Sequence, residues 1–291
     1  MVLESIISPS KAEGKPFETF VLGFFYAILG FFLAWWIFKQ HISLVMVFLT
    51  VIAVLPLFFY TLKLEEKKDS FIRSEKILIR EHFKAIRFLI YMFLGFVVAF
   101  SLIFVVSFII SPGSSERFFS IQLDTIQGIN SRVSGNYFAT GNYSAMDSFT
   151  RILINNLNVL FFCIIFSLIY GAGAIFILTW NASVISAAIG TFINNNLGTY
   201  ASAIGLVKVG GYFHIASFGL MRYALHGIPE IGGYFIGGLA GGIVSVAISR
   251  HEFGSATFSK VISDALLLFV LAVVVLIIAA LTEVFVTPVL F

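Results

Sequence analysis

The chain has 291 residues, of which 59% are hydrophobic and only 11% charged. Its mean hydropathy is +1.01. A soluble domain averages about 25% charged residues, so the composition excludes a soluble globular protein and specifies an integral membrane protein. A formal net charge of +3 is too small to suggest a nucleic-acid partner. Cys163 is the only cysteine, which excludes an internal disulfide. It sits in an apolar run and reads as a small core hydrophobe, because burial suppresses the reactive thiolate.

Residues Met1 to Lys15 form a short polar tail. The apolar run after them is too long for the core of a cleavable signal, so it is expected to remain as an anchor. Segment one, Phe17 to Phe38, matches the roughly 20 residues that cross a ~30 Å hydrocarbon layer. Its Trp35 and Trp36 suit a membrane interface. Segment two, Ile42 to Leu62, returns, with Pro56 a candidate kink. Lys63 to Arg87 then carries eight basic and five acidic residues. Between Asp69 and Lys84 the spacing predicts an amphipathic helix at the membrane surface. It is a solvated connector or a contact for anionic lipid or a cytosolic partner. Basic residues in short loops mark the cytoplasmic side, which puts this stretch and the N-terminus inside.

Segment three, Phe88 to Ile110, leads to a weakly charged external loop, residues 111–150. In it Phe118, Phe119, Ile121, Leu123 and Ile126 predict a short helix on the bundle. Asn142-Tyr143-Ser144 matches a glycosylation acceptor. Segment four, Ile152 to Trp180, opens with Asn155, Asn156 and Asn158 and holds Ser167, Gly171 and Gly173, small residues that let helices approach. Asn181 to Phe192 is short for a span and reads as a half-helix or re-entrant piece. Segment five, Leu206 to Leu225, ends at Gly227. Segment six starts at Pro229, a favoured first-turn residue, and runs to Ser249. Segment seven is Val261 to Val286, with Glu283 near its outer end. The expectation is an all-α polytopic bundle of about six to seven spans with one half-helix.

The candidate site lies from Arg222 to Gly242. Between Asp147 and Glu252 the chain has a single carboxylate, Glu230. An ionisable residue at membrane depth is costly and usually faces a bundle interior or a wet cavity. Its natural partners are His226 and Arg222. The structural reading is that Glu230 caps a helix begun by Pro229, where the dipole favours negative charge by ~0.3–1 kcal/mol. The sharper readings are a zinc site or a proton path. His226 and Glu230 are zinc-ligand types, and His214 is the nearest third. In an unbroken helix His214 stands ~18 Å from His226, so the three meet only if the segment breaks. Asn155, Asn156 and Asn181 add polar groups from other helices. Gly233, Gly237 and Gly241 repeat at intervals of four and present a smooth face, either for internal packing or for a second copy.

With His226-Gly227-Ile228-Pro229-Glu230 before a glycine-rich helix, Asn155-Asn156 opening a span, Gly171-Ala172-Gly173 within it and Asn181 beyond it, the chain resembles the stage II sporulation protein M family. The resemblance covers about residue 86 to the end. It implies a membrane core of five helices to which residues 1–85, a hairpin plus the basic segment, look like an addition. It marks His226 and Glu230. In sporulating bacteria it implies action with partner proteins in envelope remodelling. Three functions stay open: a scaffold or remodelling component with membrane-protein partners, a zinc-dependent intramembrane hydrolase using Glu230, and an ion- or proton-coupled transporter or channel.

Overall fold

In hydrocarbon every backbone N–H and C=O must be satisfied within the segment, and the apolar runs of this chain meet that demand as helices. The computed structural model describes residues 7–128, 145–170, 173–197, 206–250 and 255–290. Asn142–Ser144, Gly171–Ala172, His251–Glu252 and the side chain of Arg222 lie outside the described residues. The elements are α1 (Pro9–Gly14), α2 (Pro16–Ile37), α3 (Ile42–Phe71), α4 (Glu75–Ile110), α5 (Pro112–Phe118), α6 (Ala145–Tyr170), α7 (Ala174–Leu197), α8 (Leu206–Ser249), α9 (Ala256–Leu281), a π-helical turn Thr282–Val286 and α10 (Thr287–Leu290). Among the described residues seven helices are long and apolar enough to cross a membrane. They are α2, α3, α4, α6, α7, the His214–Ser249 part of α8, and α9 with the turns that follow it.

Seven spans emerge, but divided differently from the sequence reading. The apolar run read as segment four is cut near Gly173, where α6 ends and α7 begins. A Cβ on Gly173 would stand 2.4 Å from the Phe166 carbonyl oxygen, so only glycine allows the chain to double back there. Asn181–Phe192 is then no half-helix; it belongs to α7, whose 24 residues suffice to span. Conversely, segments five and six fuse into α8, 44 residues long with Pro229 inside it. Pro229 removes one backbone donor, yet a membrane helix tolerates this because packed neighbours re-satisfy the freed carbonyl. One division and one fusion cancel in the count.

The predicted surface helix at Asp69–Lys84 does not form as a separate element. At 30 and 36 residues, α3 and α4 extend to about 45 and 54 Å, well beyond the ~30 Å hydrocarbon layer. The charged residues ride on these overhanging ends, joined by a short turn at residues 72–74. We call this the charged end of the bundle. At the opposite end, residues 120–128 are helical, as expected. Gln122 plugs that helix into the bundle. Its Nε2 donates to Ser183 Oγ and to the Ser43 carbonyl, both at 3.1 Å, and its Oε1 accepts from Ser43 Oγ at 2.6 Å.

Helix α8 is the central pillar. Its spanning window is 83% buried, against 22–56% for the other six. The glycines make this burial geometrically feasible. A Cβ at Gly233 would strike Leu276, one at Gly237 Leu160, and one at Gly241 the Ile164 carbonyl oxygen. The glycine face is therefore filled by α6 and α9 of the same chain. Helices α2 and α4 pack by the same device in both directions. Gly23 admits the Met92 carbonyl, and Gly95 admits the Phe20 carbonyl.

Candidate functional site

Within the membrane, Glu230 and Tyr234 are one turn apart on α8, so the phenol lies beside the carboxyl. Tyr234 donates to Glu230 Oε1 at 2.7 Å. His226 precedes Glu230 by one turn on the same stripe, and both are half-buried. The His226 Nδ1 atom lies 3.3 Å from Thr287 Oγ1. Thr287 in turn donates to the Thr282 carbonyl at 3.2 Å, closing the π-helical turn over this part of α8. That turn also carries Glu283, near enough to Glu230 for their charges to interact. Single-turn π segments within helices are frequent at functional sites. Glu283 was legible in the sequence as an outer-end acid, but nothing there placed it beside Glu230.

The other predicted residues do not all join this group. Asn156 is 2% exposed, and its Nδ2 has no hydrogen-bond partner among the described residues. It lies near the same level: Leu160 meets Gly237, and one turn back along each helix pairs Asn156 with Gly233. Asn155 is exposed and turned away, while Asn181 is half-buried on α7. His214 is exposed and, because α8 is unbroken, stays about 18 Å from His226 along the axis. His214, His226 and Glu230 thus do not converge on one ion. Among the described residues no three His, Cys, Asp or Glu side chains gather in a metal-binding arrangement.

The denser polar assembly is one the sequence reading took for a solvated surface. At the charged end Glu65, Glu66 and Asp69 are fully buried and His82 is 1% exposed. Glu65 and Asp69 are one turn apart on α3, so they straddle a single ring on antiparallel α4. His82 Nδ1 lies 2.7 Å from Glu65 Oε2, and its Nε2 lies 2.9 Å from Asp69 Oδ1. With a carboxylate at each nitrogen, both must donate, which makes the ring an imidazolium. Burial opposes the charge, but the hydrogen bonds to Asp69 and Glu65 outweigh it and push the His82 pKa up to about 9. The residue belongs to the overhang of α4, outside the apolar span.

Three further helices tie into this pair. Lys68 bonds Glu65 at 2.7 Å and Glu13 of α1 at 2.8 Å. Burial raises the Glu13 carboxyl above its usual range, and the Lys68 hydrogen bond counters it. Arg250, just past α8, pairs with Glu66 at 2.8 Å. Lys260 of α9 bonds the Asp69 carbonyl at 2.5 Å and Asp264 at 2.9 Å. Arg87 of α4 donates to the Glu13 carbonyl at 3.2 Å. The ends of α1, α3, α4, α8 and α9 are thereby joined in one ion-paired clamp. The available signal was the i, i+4 pair Glu65/Asp69 facing a histidine across a tight helical turn.

Seven apolar helices, one of them a buried pillar, define a multi-pass α-helical membrane protein. Its sequence matches the family model described as Stage II sporulation protein M over residues 21–288, so the chain belongs to the SpoIIM family. The match takes in α3 and most of α2 as well as the later helices. No curated protein and no solved structure matches the chain.

Proposed function

We propose that the protein is a non-enzymatic membrane component, a scaffold that holds other membrane proteins in an envelope-remodelling assembly. The charged end then faces the cytoplasm, following the basic residues between Lys63 and Arg87. The observation that carries the reading is the clamp. It ties the ends of five helices to a set of buried acids. At its centre the His82 pair is buried on both sides, where removing one partner costs about 3–5 kcal/mol. A bundle held this way is suited to present a constant surface and poorly suited to rocking between two states. Family membership supports a role alongside partner proteins. The hydrolase reading has His226 and Glu230 one turn apart but lacks a third ligand beside them among the described residues, since His214 stands about 18 Å away along α8. Photocrosslinking in native membranes tests the scaffold. Discrete protein adducts that disappear in His82→Ala are expected; crosslinks to lipid alone would remove the idea.

One observation favours a second reading, a proton- or ion-coupled pathway. Glu230 and Glu283 are two interacting carboxyl groups within the spans, beside a π turn. Intramembrane acids of this kind mark ion and proton routes. Proteoliposomes should then show a flux that Glu230→Gln abolishes. No flux for protons or common cations would dismiss it.

A further inference from the structure

A groove of about 630 Å³ runs between α4 on one side and α8 and α9 on the other. This is within the ~300–1,000 Å³ range of ligand cavities. Its two ends differ in chemistry. Arg80, Lys84 and Arg87 line one end, and Ile90, Ile236 and Val275 line the rest. The three cations stand at i, i+4 and i+7, so one face of α4 carries them in a row. No carboxylate is among the lining residues. Lys84 is tied to Glu81 at 2.5 Å, and Arg87 gives one donor to a neutral carbonyl. Arg80 acts on Glu81 through space, and no ion pair to it is found among the described residues. Net positive charge is therefore left at the mouth. Arg80 to Ile90 covers about 15 Å of helix, so an occupant must be long, apolar along its length and anionic at one end.

We propose that this groove is a binding site for one anionic phospholipid, with the phosphate at Arg80, Lys84 and Arg87 and an acyl chain along Ile90, Ile236 and Val275. Charge complementarity selects this occupant. A zwitterionic lipid gains less at a mouth without an acid, and a protein helix gains nothing from three cations followed by an aliphatic trough. Basic pockets between transmembrane helices at one membrane face recognise acidic headgroups in this way. Gly232 forms part of the lining. A Cβ there would meet only the Ile90 Cδ1 atom, at 3.7 Å, so a larger side chain enters the groove instead of striking backbone. The site shares Arg87 with the clamp, but it is argued from the groove's own lining and not from the scaffold reading or from His226 and Glu230.

The test uses the full chain, purified and delipidated in detergent, with native mass spectrometry as readout. Phosphatidylglycerol and phosphatidylcholine of identical chains are titrated separately. One phosphatidylglycerol per chain is expected, retained at least about tenfold more tightly than phosphatidylcholine. The Arg80→Gln/Lys84→Gln variant spares Arg87 and its bond to Glu13, and it should abolish the preference. Gly232→Leu should reduce retention of phosphatidylglycerol, with the melting temperature of both variants checked against the parent. Equal retention of the two lipids overturns the proposal, as does a preference that survives in the double variant. Full displacement of phosphatidylglycerol by millimolar inorganic phosphate also overturns it, because the groove would then be a phosphate site only. If the double variant fails to fold, Arg80→Gln alone carries the same comparison.

Discussion

Two polar regions of this molecule invite comparison: the Glu230 group inside the span and the clamp at the charged end. The first is sparse. One acid is met by a phenol on its own helix, and one imidazole by a threonine from the next. The second is dense, with two carboxylates on a single imidazolium and four helices tied around it. The difference teaches where a membrane protein can place charge cheaply. Beyond the hydrocarbon, helices can carry acids and bases in number and bury them against one another. Within it, each ionisable group must be held by whatever the packed neighbours offer. The sequence reading ranked the two in the reverse order, since a lone acid in an apolar run is conspicuous and a mixed-charge stretch looks like solvated surface.

Breaking the clamp should have the largest effect. His82→Ala leaves Glu65 and Asp69 buried without their shared cation, at a cost of about 3–5 kcal/mol. Thermal unfolding in detergent should shift down by on the order of 10 °C; a change within 2 °C or so would show that the clamp is ornamental. Raising pH probes the same ring without mutation. The His82 pKa in the folded chain, about 9, lies above its ordinary 6.5. Its contribution is therefore complete below about pH 6.5 and is lost as pH climbs through about 9, up to roughly 3 kcal/mol. Melting temperature should fall over that window in the parent and stay flatter in His82→Gln. A parent profile as flat as the variant's would contradict the imidazolium.

The pillar comes next. Gly241→Ala drives a Cβ to 2.7 Å from the Ile164 carbonyl oxygen, whereas Gly237→Ala meets the mobile tip of Leu160. Backbone cannot step aside, so Gly241→Ala should cost about 1–3 kcal/mol and Gly237→Ala less. Equal melting temperatures for the two would mean that α6 shifts as a body. The smallest effect belongs to the Glu230 group. Tyr234→Phe removes one hydrogen bond, worth about 0.5–1.5 kcal/mol. A loss as large as that of His82→Ala would promote this group over the clamp as the structural centre.

The membrane class, the all-α bundle, a count of six to seven spans and the family were legible from the chain alone. Hydropathy reports whether a residue belongs in hydrocarbon, and His226-Gly227-Ile228-Pro229-Glu230 is a local pattern. That His226 and Glu230 share one helix face was not legible, because the sequence signals end one helix at Gly227 and begin the next at Pro229, whereas α8 runs through both. Only the tertiary structure decided where helices stop. Gly227 and Pro229 signal an end in water but are absorbed in the buried helix α8, while Gly173 turns the chain within a run that looks continuous. It alone decided that the glycine face is filled from within the chain, and that Glu65, Asp69 and His82 are interior. Whether a charged helix face meets water or another helix depends on what folds against it, and that neighbour is distant in sequence.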